Sequence, residues 1–218
     1  MTPMLTLHVD ADLVSPWVFH AFVALEEKRL PFALQPEVLP ILDGRRDELR
    51  ERGLFAKVPI LEHGQLWLGE SLAISEYLAE TFPYPTHPRL FPADLAERAR
   101  ARQLMSFLRT DLFALREERS SRTLFAQPAT TPLSERGQAD VAELLRVAAR
   151  VVPPGRGSMF ATWCIADADL ALALMRLIAN GHHVPADLDG YARAVWSRPS
   201  IQLFVEQGRR ARAQGQRQ

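Results

Sequence analysis

A chain of 218 residues can hold one large domain or two modest ones, with length enough to bury a real core. Its 26 basic side chains balance its 26 acidic ones to a formal net charge of +0, so no global field draws it to nucleic acid or an anionic membrane. The single cysteine, Cys164, excludes an internal disulfide framework and a CxxC redox pair.

The absence of disulfides fits a reducing compartment. Met1 to Asp10 lack a basic start followed by a long apolar run. The most apolar stretch, Leu170 to Ile178, is about half of what a bilayer span needs, and Arg176 interrupts it. The expectation is a cytoplasmic protein without membrane or nucleic-acid partners.

Leu5-Thr6-Leu7-His8-Val9 alternates and reads as a strand. Ser15-Pro16 then opens a helix, with serine as N-cap and proline in the first turn, and Val18, Phe19, Phe22, Val23 and Leu25 recur at helical spacing. A second strand begins at Phe32, and the charged segment from Asp43 to Arg52 reads as a short helix stopped by Gly53. Val58 to Leu61 and Leu66 to Leu68 form a hairpin about His63-Gly64. Glu70 to Phe82 is amphipathic, with Ile74, Tyr77, Leu78 and Phe82 on one face.

The order βαβαββα is complete there, and Phe82-Pro83-Tyr84-Pro85-Thr86-His87-Pro88 marks a boundary that neither helix nor sheet interior crosses. Everything beyond reads helical: Ala93 to about Glu118 as one long helix, then Thr131 to Val151 with a break at Pro153-Pro154-Gly155. Asp167 to Ala179 is apolar nearly all round, a helix for the centre of a bundle, with Gly181 as C-cap. Asp187 to Trp196 and Ser200 to Gln207 complete the set. The domains expected are 1–83, a linker at 84–92, a helical domain at 93–207 and a frayed tail at 208–218.

Three places carry chemistry. Ser15, at a helix amino end, is an N-cap, and the same end favours an anion. A thiol bound there ionises more easily, and its hydroxyl can donate to the sulfur. Lowering a thiol from about 8.5 by one to two units needs only about 1.4 to 3 kcal/mol. Val58-Pro59 is either a strand-start proline or a cis turn that leaves the Val58 main chain free to pair with an extended peptide. Glu70-Ser71 is a helix start whose carboxylate and hydroxyl suit the ammonium and carboxylate of an amino-acid end.

Ser15-Pro16 after the first strand, Val58-Pro59 before the third, Glu70-Ser71 at the third helix and Ile165-Ala166-Asp167 before the apolar helix together resemble the cytosolic glutathione transferases. Trp163-Cys164 and Arg116-Glu117-Glu118-Arg119 are similar to a bacterial YfcF-like branch. The resemblance spans essentially the whole chain. It implies an α+β fold, with a thioredoxin-like βαβαββα domain followed by an all-α bundle, and glutathione as co-substrate. Ser15 would face the glutathione sulfur, Val58 would pair with the cysteinyl backbone, Glu70 and Ser71 would hold the γ-glutamyl end, and Lys57 would reach the glycyl carboxylate. Trp17, Phe113 and Arg116 would line the pocket of an electrophile, peroxide or disulfide, though packing and a surface ion network explain them as well. The resemblance also implies a homodimer with a role in detoxification. No cysteine stands where thiol-transferring relatives carry one, so glutathione itself would be the reacting sulfur.

Two readings stay beside this one: a non-catalytic glutathione-binding or scaffold protein of the same fold, and a glutathione-dependent isomerase or dehalogenase. Cys164 departs from the family, which places Ser or Thr three residues before the central-helix aspartate: it is a poor cap that puts the usual reciprocal pair in doubt, while Asp167 can still accept backbone N–H bonds. Cys164 itself reads as a small buried hydrophobe. The six histidines show no ligand pattern, and no metal is expected.

Overall fold

The structure, a computed structural model, describes residues 5–215. Met1 to Met4, part of the segment read for a leader, and the last three residues of the expected tail lie outside the described residues. The chain divides into two compact units: Met1–Leu90 with Leu203–Gln218, and Phe91–Gln202.

The first unit is built on a four-stranded sheet. Its elements run β1 (Leu5–Asp10), α1 (Pro16–Glu27), β2 (Phe32–Glu37), α2 (Asp43–Gly53), β3 (Ile60–His63), β4 (Leu66–Gly69) and α3 (Ser71–Thr81). Strand order is β2-β1-β3-β4, with β1 and β2 parallel and the other pairs antiparallel. A parallel pair needs a crossover, and α1 supplies it. Residues Val18 to Leu25 of α1 are buried without interruption, and Ile74 and Leu78 of α3 are fully enclosed. On the other side Leu49, Ile60 and Ile41 form a smaller cluster closed by Ala56 and Trp67.

A polar network ties β1, β2 and α2 together. His8 Nδ1 lies 2.9 Å from Glu37 Oε1, and the Arg45 guanidinium donates to both Glu37 oxygens and to Glu48. Burial pushes the Glu37 carboxyl up, but the bonds from Arg45 and His8 outweigh it and leave the group below the usual carboxylate range.

The second unit holds α4 (Leu95–Thr110), α5 (Phe113–Glu118), α6 (Ser121–Phe125), α7 (Glu135–Val151), α8 (Ile165–Ala179), α9 (Ala186–Trp196) and the start of α10 (Pro199–Gly215). α8 is the centre: eleven of its fifteen residues are buried, and it packs most extensively on α9. The Asp167 carboxylate anchors its start, accepting from the N–H groups of Cys164 and Met159, each at 2.9 Å, and from the Tyr191 hydroxyl at 2.7 Å. The capping box that Cys164 put in doubt is therefore present. The Cys164 sulfur, a weak acceptor, faces the Asp167 amide while the carboxylate closes the stronger half. At the other end Gly181 takes φ +73°, and the N–H groups of Gly181 and His182 return to Ile178 and Leu177. That double return is why glycine stands there.

Two further expectations are corrected. The long helix from Ala93 to Glu118 breaks at Asp111-Leu112. There Thr110 Oγ1 donates to the Asp111 carboxylate, Leu112 turns inward, and Asp140 of α7 caps the restart by accepting the Leu115 N–H at 2.9 Å. Such local side-chain bonds compete with helical ones, and a distant cap decides the outcome. The frayed tail from Gly208 is instead helical as far as Gly215. Arg210 pairs with Glu206 along it, and Arg212 Nη1 donates to the Asp12 carbonyl at 2.8 Å.

Candidate functional site

The first unit sets Ser15 at the amino end of α1. β1 ends in Asp10, which is 2% exposed, and its carboxylate folds over the following loop. It accepts from Val14 N–H at 2.7 Å and from Ser15 N–H at 3.2 Å. Burial pushes the Asp10 carboxyl up, and these main-chain bonds pull against it. The loop has three further ties: Ala11 N–H to the Glu37 carbonyl, Leu13 N–H to the Asp10 carbonyl, and Arg212 to the Asp12 carbonyl. Leu13 takes φ +49°, and Gly208 of α10 lies so close that a Cβ there would stand 3.1 Å from the Leu13 carbonyl.

Ser15 itself is extended (φ −68°, ψ 126°), and its Oγ accepts the Val18 N–H at 3.4 Å. That bond uses a lone pair, so the hydroxyl proton remains available as a donor. The helix end behind it contributes a partial positive charge.

The second place is the approach to β3. The Val58-Pro59 bond is cis, and the strand ladder starts only at Ile60, which pairs with His8 and Gly69. β3 thus begins two residues later than the alternation suggests, because Pro59 has no N–H to give to a ladder. Val58 is half-buried and lies outside that ladder, while Lys57 is exposed.

The third place is the turn from β4 into α3. Glu70 adopts φ +63°, ψ 112°, a backbone conformation that favours glycine, and its side chain is exposed. The residue caps α3 with its carbonyl, which accepts the Ile74 N–H at 3.0 Å, and not with its carboxylate. Ser71, 5% exposed, is the first residue of α3. An anion at that helix end would meet N–H groups that have no partner within the helix.

The chain matches the family model described as glutathione S-transferase, C-terminal domain, over residues 94–210, and that described as glutathione S-transferase, N-terminal domain, over residues 14–81. It belongs to the glutathione S-transferase family. Among solved structures, a glutathione transferase homologue from Burkholderia gl BGR1 with bound glutathione is 38% identical, with a TM-score of 0.78 over 94% of this chain and 98% of that one. Among curated relatives, glutathione S-transferase U13 of Arabidopsis thaliana is 31% identical over 50% of this chain and 47% of its own length. Glutathione S-transferase theta-1 of Bos taurus is 31% identical over 49% of this chain and 43% of its own. The matches thus span less than half of those relatives.

In this family member the remaining sequence candidates fall in different places. Trp17 follows Pro16 on α1 in the first unit and is half-buried. Phe113 and Arg116 lie one turn apart on α5 in the second, Phe113 being 59% exposed. Charged groups do surround Arg116, but Glu118 faces elsewhere. Glu118 is taken up by α7, accepting from the Ser134 N–H at 2.7 Å and from its hydroxyl. The Arg116 guanidinium is lowered by burial and by Arg109, with Asp140 and Glu117 pulling the other way.

Asp10, Gly208 and Arg212, which hold the Ser15 loop, were not among the residues the sequence singled out. An aspartate ending a strand four and five residues before Val14 and Ser15 was the one local signal, since short acidic side chains bond nearby N–H groups. Nothing local marks the other two. Among the described residues, no group of three or more His, Cys, Asp or Glu is placed to hold a metal ion, and no helix is long and apolar enough to cross a membrane.

Proposed function

We propose that this protein is a glutathione transferase of the YfcF-like branch that activates the glutathione thiolate for attack on an electrophile, peroxide or disulfide held by the helical unit. Glutathione lies in the first unit. Val58 pairs with its cysteinyl backbone, Glu70 and Ser71 hold its γ-glutamyl end, and Lys57 reaches its glycyl carboxylate. Ser15 donates to its sulfur. The protein works as a cytoplasmic homodimer in the removal of reactive compounds.

The observation that carries this reading is the amino end of α1. Ser15 is fixed there by its own N–H through Asp10, its Oγ accepts from Val18, and its proton is left to donate. A hydroxyl donor and a helix end together can supply the about 1.4 to 3 kcal/mol that brings a thiol of about 8.5 toward neutrality. Catalysis then rests on thiolate stabilisation and positioning.

The test joins binding to turnover. Calorimetry with glutathione is expected to give saturable binding that Glu70→Ala and Ser71→Ala each weaken. A panel of an aryl halide, a hydroperoxide and a disulfide is expected to give glutathione-dependent turnover with at least one member. Ser15→Ala should lower kcat more than it raises the glutathione Kd. No binding and no turnover with any member would sink the reading, whereas binding without turnover would leave a glutathione-binding scaffold.

A further inference from the structure

α8 carries two charged residues seven positions apart on one face, Asp169 and Arg176, with Leu172 and Ala173 between them. Asp169 is committed: Arg109 of α4 donates to it at 2.6 Å. Arg176 is 5% exposed, and its Nε has no hydrogen-bond partner among the described residues. Its charged neighbour is another cation, Arg116 of α5, and burial together with Arg116 lowers Arg176 to about 10, so it stays protonated at neutral pH.

The acceptors grouped about Asn180 are engaged with one another. The Arg176 carbonyl and Thr123 Oγ1 both take the Asn180 amide, while Asn180 Oδ1 takes the Ala129 N–H. Asp140 accepts the Leu115 N–H through one oxygen, and its charge acts on Arg116 and not on Arg176. Burying a cation without a counter-charge is costly, and proteins otherwise pair such groups. A bound anion offsets that cost.

We propose that Arg176, with Arg116 beside it, holds a carboxylate of the second substrate, which is therefore an electrophile carrying an acid group on an apolar body. A guanidinium fork matches a carboxylate in shape as well as charge. The exposed ring of Phe113 lies one turn from Arg116 on α5, which suits an aromatic or aliphatic body. The assignment rests on the transferase reading above and narrows its substrate class.

A paired substrate tests it: 4-chloro-3-nitrobenzoate and its methyl ester, each with saturating glutathione at neutral pH. In both, the thiolate sulfur bonds to the chlorine-bearing ring carbon, the C–Cl bond breaks, chloride leaves with the electron pair, and the thiol proton passes to solvent. The acid is expected to show a KM about tenfold below the ester's, the effect of one charge-assisted contact. Arg176→Met should erase that preference, and Arg176→Lys should keep part of it. Equal KM values in the parent, or a preference that survives Arg176→Met, would overturn the proposal.

If neither compound turns over, 3-nitrobenzoate alone decides through the thermal midpoint, with sodium chloride at matched ionic strength as control. A saturable rise in the parent that is lost in Arg176→Met supports the site. No rise, or an equal rise with chloride, overturns it. Arg176→Met is expected to fold, because it removes a lone buried cation and keeps the apolar stem. Glutathione binding, measured separately, reports on the transferase reading alone.

Discussion

The carboxylate of Asp10 accepts the N–H of Ser15 at 3.2 Å, so the last residue of β1 fixes the first turn of α1 across a five-residue gap. The same carboxylate holds Val14 N–H at 2.7 Å. Asp10→Ala would strand both N–H groups, a loss of about 1–3 kcal/mol for each that water does not reach. The expected result is a lower denaturation midpoint together with a lower kcat/KM. The pH–rate profile should also move, its thiol limb shifting to higher pH as the Ser15 hydroxyl loses its fixed position. Asp10→Asn, which keeps one acceptor oxygen, should recover part of both. A profile that does not move would make Asp10 a stabilising residue without influence on the site.

The same loop is pressed from α10. Gly208 leaves no room for a branched side chain, since a Cβ would already lie 3.1 Å from the Leu13 carbonyl and 2.8 Å from Arg212 Nη1. Gly208→Val should therefore cost about 1–3 kcal/mol through overpacking. It should also couple to Asp10→Ala by at least about 0.5 kcal/mol, because both act on one loop. A double-mutant cycle from urea unfolding measures this, and strict additivity would separate the two contacts.

Acid should unfold this protein partly through Glu37. Its folded-state value lies below the ordinary 4.5 because the bonds from Arg45 and His8 outweigh burial. The sign follows from linkage: a depressed carboxyl contributes stability above its unfolded value, and that stability fades as pH falls through the folded value. Glu37→Gln should thus be less stable than the parent at pH 7. Its stability should fall less steeply below about pH 4.5, the ordinary glutamate value. Chemical denaturation at a series of pH values gives both slopes, and parallel acid limbs would contradict the assignment.

What could be read from the sequence was whatever the chain encodes within a few residues. The apolar spacing of Val18, Phe19 and Phe22, the Ser15-Pro16 start and the Gly181 stop each report on one turn of backbone, and each element lies where its signal stands. The break at Asp111-Leu112 was hidden because its cap, Asp140, lies on a different helix. The support of Ser15 was hidden for the same reason: Arg212 reaches Asp12 from the far end of the sequence. In the sequence Arg176 is only an interruption in an apolar run, since only the packed bundle shows that its Nε lacks a partner among the described residues. Residues that would touch glutathione carry local marks, while those that hold them in place do so through contacts distant in sequence.

In the proposed site, Glu70 sets stability against binding within one residue. Its φ of +63° costs a side-chain-bearing residue about 1–3 kcal/mol, and glycine takes the same conformation freely. A scaffold without a ligand would lose nothing by placing glycine there. With glutathione as ligand, the strained backbone is what presents a carboxylate at the start of α3, beside Ser71 and the helix end. Glu70→Gly should therefore raise the unfolding free energy of the ligand-free protein by about 0.5–1 kcal/mol, the strain relief less the extra freedom of glycine in the unfolded chain. It should also weaken glutathione about tenfold or more, the loss of one charge-assisted contact to an ammonium. Glu70→Ala, which keeps most of the strain and loses the same contact, should bind as poorly as Glu70→Gly without its gain in stability. Urea unfolding and calorimetry on the three proteins separate the two effects. Full affinity in Glu70→Gly would move the ammonium site elsewhere, and a less stable Glu70→Gly would show that its backbone carries no strain to relieve.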